Sequence, residues 1–270
     1  MTPDQLAIHT FTNKPWSIDE CVEHYSRRGF GGLSVWRETV AGEDLGRVRR
    51  KIADSGLRGV SYVRGGFFTG LDAGARQRGI DDNLAVIREC EALGLPMIVL
   101  VSGATVGQGP VENFEQIAEG IAAILPAAEA AGIKLAIEPL HPMYAGDRCA
   151  VASMRDANWL CDQLDHPLVG VAADVFHIWW ERDLEQQIQT CADKGRLFAF
   201  HVCEFKPDFD HVLLDRGLPG EGVNASARIA KMVKAAGFNG LTEVEIFSRK
   251  YWAENQHVFL DKIAASCADL

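Results

Sequence analysis

A short apolar run followed by a longer amphipathic segment that stops at glycine recurs along the whole chain, and this unit restricts the fold more than any other feature. The apolar runs are LAIHTF (6–11), GLSVW (32–36), LRGVSYV (57–63), PMIVLVS (96–102), IKLAIE (133–138), LVGVAAD (168–174), LFAFHV (197–202) and LTEVEIF (241–247). Between them, Ser17 and Glu20 form an S-x-x-E capping box that opens a helix stopping at Gly29. EDLGRVRRKIADSG stops at Gly56, DDNLAVIRECEALG at Gly94, DLEQQIQTCADKG at Gly195 and SARIAKMVKAAG at Gly237, glycine being the residue a left-handed C-cap favours. Several runs are apolar on both faces, as strands of a parallel sheet covered by helices must be. Eight such units predict an α/β fold, a (β/α)8 TIM barrel. A doubly wound open sheet would carry a Gly-rich phosphate loop after an early strand, and none follows LAIHTF. Pro126 interrupts EGIAAILPAAEAAG, so that helix is predicted to kink or split there.

The 270 residues, 47% hydrophobic and 24% charged, suffice for one large core, and residues 1–270 are expected to form a single TIM-barrel domain. A net charge of −10 without any basic block argues against nucleic acid and against an anionic membrane surface. No apolar run approaches the roughly 20 residues of a membrane span. MTPDQLAIHTFTNKPW has neither a basic nor an apolar leader region, and the seven cysteines are scattered without a C-x-x-C pair. A reduced, cytoplasmic setting is expected.

A barrel keeps its chemistry at the C-terminal ends of its strands. There the late runs end in polar groups: Glu138 after strand five, Asp174 after strand six, His201 in strand seven and Glu245 in strand eight. Three carboxylates crowded with an imidazole on one rim concentrate negative charge, and like charges repel out of water unless a cation joins them. Three oxygens and one nitrogen suit Mn²⁺, Mg²⁺ or Co²⁺ better than a thiolate-seeking metal, with Zn²⁺ as a further option. Glu243 shares the face of Glu245 one layer deeper and competes with it for the ligand role.

These residues resemble the xylose isomerase-like TIM barrels, in particular the sugar isomerase/epimerase group with its ketose 3-epimerases and inosose-processing enzymes. The resemblance spans essentially the whole chain and is sharpest over 133–248. It rests on Glu138-Pro139-Leu140, on Asp174-x-x-His177, on His201-Val202 and on Glu245-x-Phe247. It implies that Glu138, Asp174, His201 and Glu245 bind a divalent metal, Mn²⁺ foremost, which selects Glu245 over Glu243. It also implies that Glu138 and Glu245 double as acid and base on opposite sides of a substrate carbon. The expected activity is isomerisation or epimerisation of a keto-sugar or cyclitol by proton abstraction beside a carbonyl. The alternative is a metal-dependent lyase, a dehydratase of an inosose or related keto-polyol, which begins with the same abstraction. An apurinic-site endonuclease shares the superfamily fold but needs more histidines, where the early strands offer only His9, and a basic face. Relatives commonly pair into dimers or tetramers, so a homo-oligomer is expected.

Substrate contacts are assigned to His177, just past its strand, to His141 in LHPMY, and to Arg216 in the long Gly/Pro-punctuated segment KPDFDHVLLDRGLPGEG, which reads as a functional loop. Glu204 is read as an orienting group or a rim ion pair, and Cys203 as structural. Trp36, Trp179 and Trp180 are read as pocket walls or packing.

Overall fold

The computed structural model describes residues 1–223 and 226–270. Strands β1 (Leu6–His9), β2 (Gly32–Trp36), β3 (Arg58–Gly66), β4 (Met97–Val101), β5 (Lys134–Ile137), β6 (Val169–Asp174), β7 (Leu197–Val202) and β8 (Thr242–Val244) pair in chain order, and β8 closes on β1. Every pairing is parallel. The chain is a (β/α)8 TIM barrel, with helices α1 (Ile18–Arg27), α2 (Leu45–Ser55), α3 (Ala73–Leu93), α4 (Pro110–Ala131) and α5 (Met154–Leu164) after β1 to β5, α6 (Val175–Ile178) and α7 (Leu184–Asp193) after β6, and α8 (Ser226–Ala235) after β7. After β8 come α9 (Arg249–Ala253) and α10 (Gln256–Ser266). All eight predicted strands exist, most of them trimmed at the ends, so Glu138 and Glu245 sit just beyond their strands.

Side chains alternate across each strand, which separates two apolar populations. Outward residues such as Ile8, Leu33, Val171 and Val244 pack with the helices. Inside, Met97, Val99, Ala136, Ala172 and Ala199 form a small cluster with Trp36, Val63 and Phe247. Three of these alanines lie two residues before Glu138, Asp174 and His201. Small side chains at that level leave interior volume for the longer polar groups one step nearer the mouth.

The capping box is present: Ser17 Oγ accepts from the Glu20 amide and the Glu20 carboxylate accepts from the Ser17 amide. Gly56 and Gly94 are the left-handed C-caps predicted for α2 and α3. The predicted break at Pro126 does not divide α4, which runs from Pro110 to Ala131 as one helix. Pro126 and the residue four before it, Ala122, are both exposed, so the carbonyl freed by the missing N–H faces solvent and the surrounding ladder carries the helix through. Among the described residues no helix is long and apolar enough to cross a membrane.

Candidate active site

Register brings the strand-end groups side by side. Asp174 pairs with His201 across β6 and β7, and His201 pairs with Glu243 across β7 and β8. Glu138, Asp174, His201 and Glu245 are all buried, and one ligand atom from each lies within 4.8 Å of the others. His201 Nδ1 is 3.0 Å from Glu138 Oε1. Asp174 spends Oδ1 on the Phe176 amide at 2.8 Å, capping α6, and turns Oδ2 towards Arg216 Nη1 at 3.3 Å. That nitrogen also donates to Glu245 Oε2 at 2.6 Å, while Glu245 Oε1 lies 3.0 Å from His9 Nδ1.

A second layer lies beneath. Glu243 is fully buried, and its Oε2 accepts hydroxyl bonds from Ser34 and, at 3.0 Å, from Ser61. The same oxygen is 3.2 Å from His9 Nε2 and 3.6 Å from His201 Nε2. Glu243 therefore stands behind His201, on the side away from Glu138, as carboxylates behind metal-binding histidines do. Glu243 lies with His9 and His201, and Glu245 with Glu138, Asp174 and His201.

Charge balance follows from these contacts. Burial alone would raise the Glu245 pKa, but His9 and Arg216 hold it well below the usual carboxylate range. Glu243 is brought down likewise, its burial outweighed by His201 and His9. Burial pushes Asp174 up to about 7 although Arg216 opposes the shift. His201 is raised far above the ordinary imidazole value because Glu243 and Glu138 overcome its burial. His177 goes the other way, lowered well below 6.5 by burial and then by Arg216.

Arg216 reaches the site because its segment is pinned. Its amide donates to the Phe247 carbonyl at 2.8 Å, and isolated bridges join Glu204 to Gly217 and Asp215 to Ser248. The guanidinium is sandwiched between the rings of Phe176 and Phe247, at 4.4 and 4.6 Å. His177, in α6, lies 3.8 Å from Asp174 Oδ2 and 3.4 Å from Arg216 Nη2 through Nε2. Its Nδ1 accepts the His141 backbone N–H at 3.0 Å. The neutral ring must then carry its proton on Nε2, which points into the pocket as a donor.

The His141 ring is placed elsewhere: its Nδ1 accepts from the Met143 amide, and it stacks on Phe205 and Trp179. Trp36 lines the pocket, whereas Trp179 and Trp180 pack against His141. Glu204 makes no ion pair among the described residues and instead accepts from the Ser226 amide and hydroxyl at the start of α8. Cys203 is buried against Arg216, 3.7 Å from Nη1. His9 lies inside the first apolar run and ends β1, so a strand-end rule reaches it only once the strand's true end is known. Ser34 and Ser61 carry no comparable signal.

The donor set fits a divalent cation: three carboxylates and one imidazole converge in a buried volume, and a carboxylate stands behind the histidine. Arg216 balances part of the negative charge.

A family model described as xylose isomerase-like TIM barrel matches residues 22–263. An inosose isomerase of Bacillus velezensis is 26% identical over 192 residues, covering 69% of this chain and 66% of that protein. The match thus spans just under two thirds of that relative. Among solved structures, protein SMc04130 of Sinorhizobium meliloti 1021 superposes with a TM-score of 0.93 at 38% identity, over 97% of this chain and 96% of that one. The IOLI protein, solved with a zinc atom bound, gives 0.85 at 18% identity over 100% and 97%, a likeness of fold.

Proposed function

This chain belongs to the xylose isomerase-like TIM barrel family, and we propose that within it the protein is a divalent-metal-dependent isomerase or epimerase of a keto-sugar or cyclitol. The observation that carries this reading is the convergence of Glu138, Asp174, His201 and Glu245 within 4.8 Å at the strand ends. The inosose isomerase among the relatives supports the substrate class, and the zinc atom of the IOLI protein supports a divalent ion.

Glu138, Asp174, His201 and Glu245 would hold the ion, Mn²⁺ foremost. When bound, it supplies a Lewis acid for charge developing on a substrate carbonyl oxygen. The chain's own groups do the rest. Glu138 and Glu245 stand after β5 and β8, so a carbon between them meets a carboxylate on each side. One takes its proton and the other returns a proton, which inverts the centre or moves the carbonyl. His9 and Arg216 keep Glu245 ionised. His177 offers its Nε2 proton to a substrate oxygen, and Arg216 offers the edge of its guanidinium. Position 141 contributes through its amide. Trp36, Phe247 and Leu213 exclude water from the pocket walls.

The test is incubation of the Mn²⁺-loaded protein with ketohexoses and inososes in D₂O, followed by NMR, alongside metal analysis. Deuterium at the carbon beside the carbonyl, with about one ion per chain, is expected. Protein that carries no metal and exchanges nothing overturns the proposal.

A further inference from the structure

The pocket that reaches Glu138, His177, Arg216 and Glu245 has two more arginines in its wall, Arg64 from β3 and Arg148 from the segment after β5. Both are half-buried. Neither donates a side-chain hydrogen bond or forms an ion pair among the described residues. Arg64 Nε is shut off from solvent with no hydrogen-bond partner among the described residues, and the guanidinium rests on the ring of Phe67, 4.5 Å away. Arg148 lies over the ring of Tyr144 at 5.9 Å.

Three other arginines drawn away from solvent hold counter-charges. Arg37 holds Glu89 and Asp82, Arg196 holds Asp162 and Asp165, and the fully buried Arg216 holds Glu245 and Asp174. A guanidinium withdrawn from water without a counter-charge is costly, and two facing one cavity repel each other. Burial and then the Arg148 charge lower the Arg64 pKa against the weaker opposing pull of Glu38, Glu138 and Asp82. The three arginines share this mouth with Glu138 and Glu245, and of the three only Arg216 is ion-paired among the described residues. A planar guanidinium matches a carboxylate or a phosphate through paired N–H groups, which a neutral hydroxyl cannot reciprocate.

We propose that Arg64 and Arg148 bind an anionic group, a carboxylate or a phosphate, carried by the keto-polyol whose reacting end lies at the four strand-end groups. The proposal rests on the isomerase reading for the reacting end and adds the chemical class of the other end.

Calorimetric titration of the Mn²⁺-loaded protein with fructose, fructose 6-phosphate and 5-ketogluconate tests it, with solvent deuterium exchange read in parallel. At least one charged compound is expected to bind about 30-fold more tightly than fructose. The phosphate and carboxylate arms tell the two anions apart. The double variant Arg64→Gln/Arg148→Gln is expected to lose that preference and remain folded by circular dichroism. Fructose binding as tightly as both charged compounds, no binding of either charged compound, or a preference that survives the double variant overturns the proposal. Deuterium entering fructose without any charge preference ends this inference and leaves the isomerase reading standing. A charge preference with no exchange in any compound does the reverse.

Discussion

Glu243 and Glu245 stand two residues apart at the end of β8, face the same interior, and are both buried. Their surroundings differ in kind. Glu243 lies among Ser34, Ser61, His9 and His201, all on the barrel's own strands, in a layer with no opening. Glu245 meets His9 on one side, but its other oxygen is held by Arg216 from a loop, and the pocket lies against it. A buried carboxylate is therefore no sign of chemistry by itself. The deeper one neutralises and orients the imidazoles above it, whereas the upper one has an open side where a reacting atom can arrive.

Substitutions can break this distinction. The largest expected effect is on turnover: Glu245→Gln keeps a group that can face Arg216 but cannot take a proton, so solvent exchange at the substrate carbon is expected to fall about 10³-fold. Next, Glu243→Gln leaves two imidazoles without their shared counter-charge and is expected to cost about 3 kcal/mol in denaturant unfolding. In conditions where that variant is folded, its exchange should fall less than tenfold. If both variants lose exchange alike at full stability, the two layers are one functional unit and the distinction fails.

Glu181 sharpens the comparison from outside, as a carboxylate largely buried with little compensation. Its Oε1 accepts the Met154 amide at 2.6 Å, and burial pushes its pKa up to about 7 despite that bond. A folded pKa above the unfolded value of 4.5 means that the protonated form favours folding. The contribution is complete below about pH 4.5 and is lost as pH rises through 7. Against Glu181→Gln, which does not titrate, the stability of the parent protein is expected to decline by about 2 kcal/mol between these limits. Denaturant midpoints across that range check it, and parallel profiles for both proteins would refute it.

Most of the architecture was legible because a buried parallel strand needs an unbroken apolar run, and because a polar group at its end has few other reasons to be there. Glu138, Asp174, His201 and Glu245 were singled out as candidates on that ground, and family resemblance favoured Glu245 over Glu243. Alternation reveals which face a residue takes but not its neighbour across a closed ring. Ser61 and Glu243 meet over 182 positions of sequence, so the deeper layer was out of reach. Arg64 and Arg148 carry no signal in the residues for another reason: an arginine becomes informative only when its surroundings are visible. Arg216 was placed by its loop, yet the amide bond to Phe247 that draws it inward has no signature in the residues. The continuity of α4 through Pro126 depends on which side of the helix faces water, which a pattern of breakers does not record.

The bond from the His141 amide to His177 Nδ1 has a consequence for variation over time. The donor is main chain, so the direction in which His177 presents its proton is written in the path of the backbone and not in the identity of residue 141. Nearly any amino acid could drift into that position and leave the polarity of His177 intact. Proline alone, having no N–H to give, would free the imidazole to turn its lone pair towards the pocket. A site conserved in function could thus be variable in letters at the very position that sets its hydrogen-bond sign.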